Sequence, residues 1–351
     1  MSAPDEGDAV LRLHAGENPY GASPRALAVL AAQVTRVHRY PDRPDADLLA
    51  ALAHHHRVAP ERIALGNGID EVILLLALAL ADEGQPTVVT AGTFLSYTES
   101  LRAARRPFVP CPLEGYRQPV DEVAKHLRDG APLAFVCNPH NPTGGVLDAP
   151  ELTVLQDAAA EGGGLLVVDE AYAEYAGPDF TSAASRAAEG SGVAVLRTFS
   201  KAYGLAGLRI GYLIADPAVT AAVECARGAL PYSVNRLAQH AALAALADQR
   251  HMRETAAAVV ETREQFRSEL HAIGLESPPS RGNFVLVRLG PRAPRTTARL
   301  AALGCLVRDT ADMGLPGHLR ISIGTPAQMR RALAALARAV TAADGLRQEV
   351  G

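Results

Sequence analysis

Five short apolar runs, at residues 62–65, 87–90, 133–137, 165–168 and 193–197, punctuate the first part of the chain, with helical spacing between them. They are continuous instead of alternating, the pattern of strands buried on both faces, and so predict a parallel sheet covered by helices on each side. In such a sheet a ligand sits beyond the carboxyl ends of the strands. The run at Arg62 to Leu65 ends in a glycine turn, GNG, with a helix opening near Ile69. Val72 to Ala81, VILLLALALA, is ten residues long and is flanked by Asp70, Glu71, Asp82 and Glu83. That is far too short to span a membrane and predicts a buried helix. Residues 10–24 hold turn residues without period, predicting an extended arm that leads into a helix from Pro24 to about Val37. From about Ser233 the texture changes to long helices rich in Ala, Arg and Glu, then short strands in NFVLVRL, GCLVRD and HLRISIG. The expected class is α/β: a large domain with a mainly parallel central sheet sandwiched by helices, plus a smaller α+β domain. The expected divisions are an arm and first helix at 1–38 that join the small domain, a large domain at 39–235 and a small domain at 236–351.

Composition narrows the functional classes. The chain has 351 residues, 48% of them hydrophobic, which suits two domains better than one. Its net charge is −4 and no basic stripe is visible, so nucleic acid is not an expected partner. The acidic amino end, MSAPDEGDAV, lacks the basic and apolar regions of a secretory signal. Cys111, Cys137, Cys225 and Cys305 are scattered without metal or CxxC spacing, as reduced cytoplasmic thiols are. His54, His55 and His56 are consecutive, so on a helix they fan apart instead of converging, and no metal is expected.

The 34 basic side chains include only two lysines. Lys125 lies in the polar amphipathic stretch DEVAKHLRDG, where a solvated charge is the ordinary outcome. Lys201 follows the apolar run VAVLRTF and precedes a small, glycine-punctuated segment, at the end of a buried strand. Desolvation there lowers the basicity of the amine, and a neutral primary amine can form a Schiff base with a carbonyl, which arginine cannot. Ser200 and Thr198 add hydroxyls, and Arg209 adds a fork suited to phosphate. The helix start at Gly68, Ile69 and Asp70 offers free amides and a positive dipole end to the same anion. A lysine among phosphate ligands points to pyridoxal phosphate.

The segment SKAYGLAGLRIG resembles the lysine segment of class I/II aminotransferases, the fold type I group of pyridoxal-phosphate enzymes. The likeness runs from GENPY to IGTP and is greatest to the histidinol-phosphate aminotransferase branch. By this resemblance Lys201 bears the cofactor, while Ser200, Thr198, Arg209 and the turn at Gly68, Ile69 and Asp70 hold its phosphate. Phe94, in TFLSY, stacks on the pyridine ring. Asn141, in NPHNPTG, binds the phenolic oxygen, with Tyr172 alongside. Asp169 lies at the end of LLVV, where a lone buried carboxylate is costly, and it pairs with the protonated ring nitrogen. Tyr40, in YPD, resembles a tyrosine lent across a two-fold axis to the partner's cofactor phosphate, which implies a homodimer. Asn18 and Tyr20 match a turn at the substrate mouth, and Arg320 matches the arginine that grips the substrate's anionic end, with Arg308 as a second candidate grip.

The implied reaction exchanges an amino group between an amino acid or histidinol-phosphate-like amine and a 2-oxo acid such as 2-oxoglutarate, with Lys201, Asp169 and Tyr172 as catalytic residues. The same residues would also serve decarboxylation or oxidation. A pyridoxal-phosphate-binding regulator would carry a DNA-binding domain ahead of the arm, where this sequence has few residues. Histidinol-phosphate aminotransferases have a longer segment there, which turns the substrate expectation toward an amino acid or a specialised-pathway oxo acid.

Overall fold

The structure is a computed structural model and describes residues 10–41, 46–190 and 192–345. The acidic amino end up to residue 9 lies outside that range. The chain starts with a short strand β1 (Leu11–Arg12) and helix α1 (Pro24–Gln33), which a 3-10 turn at Val34–Arg36 prolongs to about the expected end. Ser23 caps α1 by accepting from the Arg25 amide at 3.1 Å, and Pro24 sits at its first position, where no amide is needed. Helix α2 (Ala46–His56) carries the three histidines in its last turn.

Strands and helices then alternate: β2 (Ile63–Gly66), α3 (Gly68–Leu80), β3 (Thr87–Thr90), α4 (Ser96–Ala103), β4 (Phe108–Cys111), α5 (Val120–Arg128), β5 (Leu133–Cys137), α6 (Ala149–Gly162), β6 (Leu165–Asp169), α7 (Ala184–Glu189), β7 (Val193–Thr198), β8 (Gly211–Ile214) and α8 (Pro217–Arg227). The strands form one seven-stranded sheet in the order β2-β8-β7-β6-β5-β3-β4. Every residue of β5 and β6 is buried, as their unbroken apolar runs demand.

Five strands were legible in the sequence and two were not. Strand β4, FVPC, lies at the edge of the sheet, the place where a proline is tolerated. Strand β8 begins at the last residue of the lysine segment, Gly211. It runs antiparallel to both β2 and β7, because the link from Thr198 to Gly211 holds only a 3-10 turn and no crossover helix. The other six strands share one direction, so their carboxyl ends meet along one edge.

Helices α9 (Arg236–Leu246) and α10 (Gln249–Ala272) follow, then β9 (Phe284–Arg288), α11 (Ala293–Ala302), β10 (Cys305–Leu306), β11 (Arg308–Asp309), β12 (His318–Ser322) and α12 (Pro326–Gly345). Strands β11, β12 and β9 form an antiparallel sheet, and β1 pairs in parallel with β10. The arm continues beside this sheet: the Ser322 amide donates to Leu13 O and the Gly16 amide to Ser322 Oγ, both at 2.8 Å. Among the described residues no helix is long and apolar enough to cross a membrane.

Candidate active site

Strand β7 ends at Thr198, and the next turn seats Phe199 in the core, so that Ser200 and Lys201 project beyond the carboxyl edge of the sheet. Lys201 Nζ donates to Ala15 O at 2.9 Å and lies 5.7 Å from the centre of the Tyr172 ring. Burial, with the charges of Arg320 and Arg209 nearby, pulls the amine down to about 8. Much of it is therefore neutral, hence nucleophilic and basic, at mildly alkaline pH.

One side of the cavity is built for an anion. Helix α3 points its amino end there, with Ile69 and Asp70 on the wall beside Thr198, Ser200 and Arg209. Arg209 Nη1 donates to Ser200 Oγ at 3.3 Å, and Nη2 pairs with Asp70 Oδ2 at 2.6 Å. Asp70 also accepts from Ser96 Oγ. Gly68 has φ +76°, and a Cβ there would meet Arg209 Nη2 at 2.4 Å, so a side chain at this position would displace the guanidinium.

Asp169, the last residue of β6, is 2% exposed. It accepts from Tyr97 Oη at 2.6 Å and from the Ala171 amide at 3.0 Å, and no cation pairs with it among the described residues. Burial pushes its carboxyl up to about 6, against the pull of the Tyr97 bond. Tyr97 is fully buried, stacked on Phe135 with ring centres 5.1 Å apart and edge-on to Phe94 at 5.7 Å. Phe94, Asn141 and Tyr172 line the same cavity, where burial raises the Tyr172 hydroxyl above its ordinary range.

Opposite stands Arg320 on β12, 7% exposed. Its Nη1 donates to Asn141 Oδ1 and its Nη2 to His14 O, each at 2.6 Å, while Nε is buried without a partner. The guanidinium lies 5.4 Å over the Phe284 ring, and no carboxylate meets it among the described residues. A buried guanidinium held by neutral acceptors retains its charge for a ligand.

Five of the residues nominated from the sequence stand outside this cavity: Gly68, which bears on it only by leaving room for Arg209, and four others. Asn18 is buried and ties the arm to the lysine segment and α10, donating to Ala202 O at 2.9 Å and Thr255 Oγ1 at 3.3 Å. Tyr20 is half-buried and its amide donates to Asn18 Oδ1. Arg308 turns to Asp312. Tyr40 is 78% exposed and stacks on Tyr232 with centres 4.8 Å apart. Three contributors escaped sequence reasoning: Tyr97, the carbonyl of Ala15, and Asn283, whose Nδ2 donates to Gly16 O at 2.9 Å. Only Tyr97 left a signal, as a polar aromatic three residues after Phe94 that a buried Asp169 would need as donor.

The residues fit pyridoxal phosphate: an anion cup at Arg209, an uncompensated carboxylate at Asp169, and an amine between them. Elsewhere, Cys111, Glu122 and His126 bring possible metal-ligand atoms within 4.8 Å of one another, but burial pushes the thiol up to about 11, away from the thiolate a metal needs.

Comparison with known proteins agrees with this geometry. The sequence model of the family "Aminotransferase class I and II" matches residues 8–336. The chain is 38% identical to a histidinol-phosphate aminotransferase of Symbiobacterium thermophilum, over 94% of this chain and 91% of the relative. It is 39% identical to one from Halorubrum lacusprofundi, over 94% and 88% respectively. The crystal structure of the histidinol-phosphate aminotransferase from Sinorhizobium meliloti, in complex with pyridoxal-5'-phosphate, superposes with a TM-score of 0.88 at 30% identity, covering 95% of this chain and 91% of that one.

Proposed function

The chain belongs to the class I and II aminotransferases, enzymes that depend on pyridoxal phosphate, and from that premise we propose that it takes its amino group from a histidinol-phosphate-like amine and passes it to a 2-oxo acid such as 2-oxoglutarate. The observation that carries the substrate reading is Arg320, a desolvated guanidinium on the cavity wall with no carboxylate of its own. The names of the relatives support the same donor.

When bound, pyridoxal phosphate supplies the carbonyl that takes up the amino group and a ring that accepts electron density. In this reading Thr198, Ser200, Arg209 and the amides of Ile69 and Asp70 hold the phosphate, with Gly68 leaving room for Arg209. Phe94 stacks on the ring, Asn141 and Tyr172 hold its phenolic oxygen, and Asp169 fixes a proton on its nitrogen. Lys201 Nζ would take the proton from the substrate's reacting carbon and return it two bonds away; burial and the neighbouring cations leave much of the amine neutral to do so at mildly alkaline pH. Arg320 fixes the substrate's anionic end, which orients the bond to be broken.

A second donor, an ordinary amino acid, is favoured by one observation: Arg308 is engaged by Asp312, which leaves a single guanidinium facing the substrate. Single-turnover conversion of the bound cofactor with histidinol phosphate and with aromatic, acidic and guanidino amino acids decides between them. Fast conversion by histidinol phosphate supports the first reading; its failure beside a fast amino acid rejects that reading and leaves the transaminase chemistry intact.

The same proposal includes a homodimer. Val34, Val37, Tyr40, Leu230 and Tyr232 are exposed apolar side chains, and Tyr40 stacks on Tyr232, so the two groups meet in one patch. Tyr40 then serves the partner's phosphate cup, and Asn18 and Tyr20 shape the substrate mouth from behind. The proposed cofactor unit is 39–235, with the arm at 1–38 joined to the small domain at 236–351. Four free cysteines suit the cytoplasm.

A further inference from the structure

Two arginines face one another across the small antiparallel sheet. Arg308 on β11 is the register partner of Arg320 on β12, and directly opposed residues in such a pair project to one face, with Cβ atoms about 5 Å apart. Burial above all, and the charge of Arg308, oppose the charge on Arg320, while Tyr172 and Asp312 support it. Arg320 alone lines the cavity. Arg308 is drawn to Asp312 four residues on, through a hydrogen-bonded ion pair whose side chains are 37% and 52% exposed. The neighbouring carboxylate, Asp309, is engaged by the Ala311 amide at 2.9 Å, which leaves Asp312 as the counter-ion.

We infer that Asp312 sets which anionic substrates the site accepts, by holding Arg308 out of reach of the anion that Arg320 binds. The inference rests on the reading that Arg320 grips the substrate's anionic end. Against one guanidinium, a carboxylate is neutralised while the dianion of a phosphate monoester keeps a net charge in a partly desolvated place. Against two it is balanced, and bidentate forks suit its three oxygens. A phosphate monoester must therefore win Arg308 from Asp312 before it binds fully. A half-exposed ion pair is weak enough to be won: such pairs change an equilibrium by up to about fivefold. Asp312 is thus a specificity-determining residue that touches neither the cofactor nor the reacting carbon. It acts on the dianion by competing for Arg308 and leaves a monoanion nearly untouched.

The test compares wild-type and Asp312→Asn holoenzyme with histidinol phosphate and with phenylalanine as donors, and measures inorganic phosphate as a competitive inhibitor. The variant raises kcat/KM for histidinol phosphate by about fivefold and lowers the inhibition constant of phosphate by a similar factor, the scale of one exposed ion pair. The phenylalanine value stays within about twofold. In an Arg308→Gln background the same substitution changes none of the three. Equal shifts for both donors mean that Asp312 merely shapes its loop, and persistence of the effect without Arg308 means that the ion pair is not the cause; either overturns the inference. Calorimetric binding of inorganic phosphate to the holoenzyme reads the same competition where neither amine turns over. A failed donor panel with a shifted phosphate affinity therefore sinks the functional reading alone, and an unshifted affinity sinks this one.

Discussion

Removing one hydroxyl, by Tyr97→Phe, tests how Asp169 is kept ready for a cation. The ring packs between Phe135 and Phe94 and would stay in place; the 2.6 Å hydrogen bond to Asp169 Oδ2 would be lost. That bond favours the charged carboxylate, and burial, the larger effect, favours the neutral one, with the balance at about 6. A hydrogen bond to a charged group contributes about 1.5–3 kcal/mol, or about one to two pKa units. The carboxyl of the variant should therefore titrate near or above neutrality. Cofactor binding by the apoenzyme, followed by fluorescence quenching from pH 5 to 9, should weaken as pH falls through about 6 in the wild type, because a protonated Asp169 no longer meets the ring nitrogen's charge. In Tyr97→Phe the midpoint should move up by at least about one unit, and affinity at pH 7 should fall by about two- to tenfold, as the ionised fraction of the carboxyl does. The cofactor's own ionisations are common to both proteins and cancel in the difference. An unmoved midpoint with unchanged affinity would refute the reasoning and assign Tyr97 to packing alone.

Other outcomes follow from the same geometry. Lys201→Ala should abolish turnover while its circular dichroism and melting profile stay close to wild type; near-normal transamination would remove Lys201 from the chemistry. Arg320→Met should raise the apparent pKa of Lys201 above about 8, since a neighbouring cation is gone, and should lower kcat/KM for anionic amines by about a hundredfold, the scale of a buried charged pair; a change in neither would mean that Arg320 faces no ligand. Asp169→Asn should stabilise the apoenzyme: the native carboxyl is raised in the fold, so its stability contribution is full below about pH 4 and is lost as pH rises through about 6, worth about 3 kcal/mol at pH 8. Denaturant unfolding of both apoproteins at pH 5 and pH 8 measures this, and parallel pH dependence in the two would disprove it. Light scattering at assay concentration should find a dimer, and an active monomer would contradict the patch around Tyr40.

The large sheet was legible because its strands are buried on both faces and leave unbroken runs. Helix α3 was legible from VILLLALALA for the same reason. Strand β4 was not, because an edge strand needs no such run and tolerates Pro110; β8 was not, because its four residues begin at Gly211, the last residue of the lysine segment, and read on from it. In the site, side chains with a rare chemical role announced themselves: a lysine where the chain otherwise uses arginine, a carboxylate at the end of LLVV, a fork at Arg209. Groups that act through the backbone could not. Ala15 bonds Lys201 through its carbonyl alone, and nothing about an alanine predicts that. Arg320 matched the family's anion-gripping arginine in the sequence and Arg308 was a second candidate, and the fold separates them by the position of one carboxylate four residues beyond Arg308.

The placement of charge along the cavity reads as the inverse of its ligands. At one end Arg209 and the amino end of α3 present positive charge, only partly offset by Asp70. Asp169, on the same wall, is a buried carboxylate with hydrogen-bond donors and, among the described residues, no cation. Arg320 is a buried guanidinium with acceptors and, among the described residues, no anion. Each arrangement is costly in the absence of ligand, because desolvation of a charge is repaid only by an opposite charge close by. Two cationic groups and one carboxylate are therefore complementary to the ligand set proposed above: a phosphate, a protonated ring nitrogen and a substrate anion. Lys201 lines the same cavity, where burial and then the charges of Arg320 and Arg209 lower its basicity. Under the function proposed above, Arg320 both meets the substrate anion and, after burial, contributes most to lowering the amine, so a change at Arg320 should alter substrate recognition and proton transfer together.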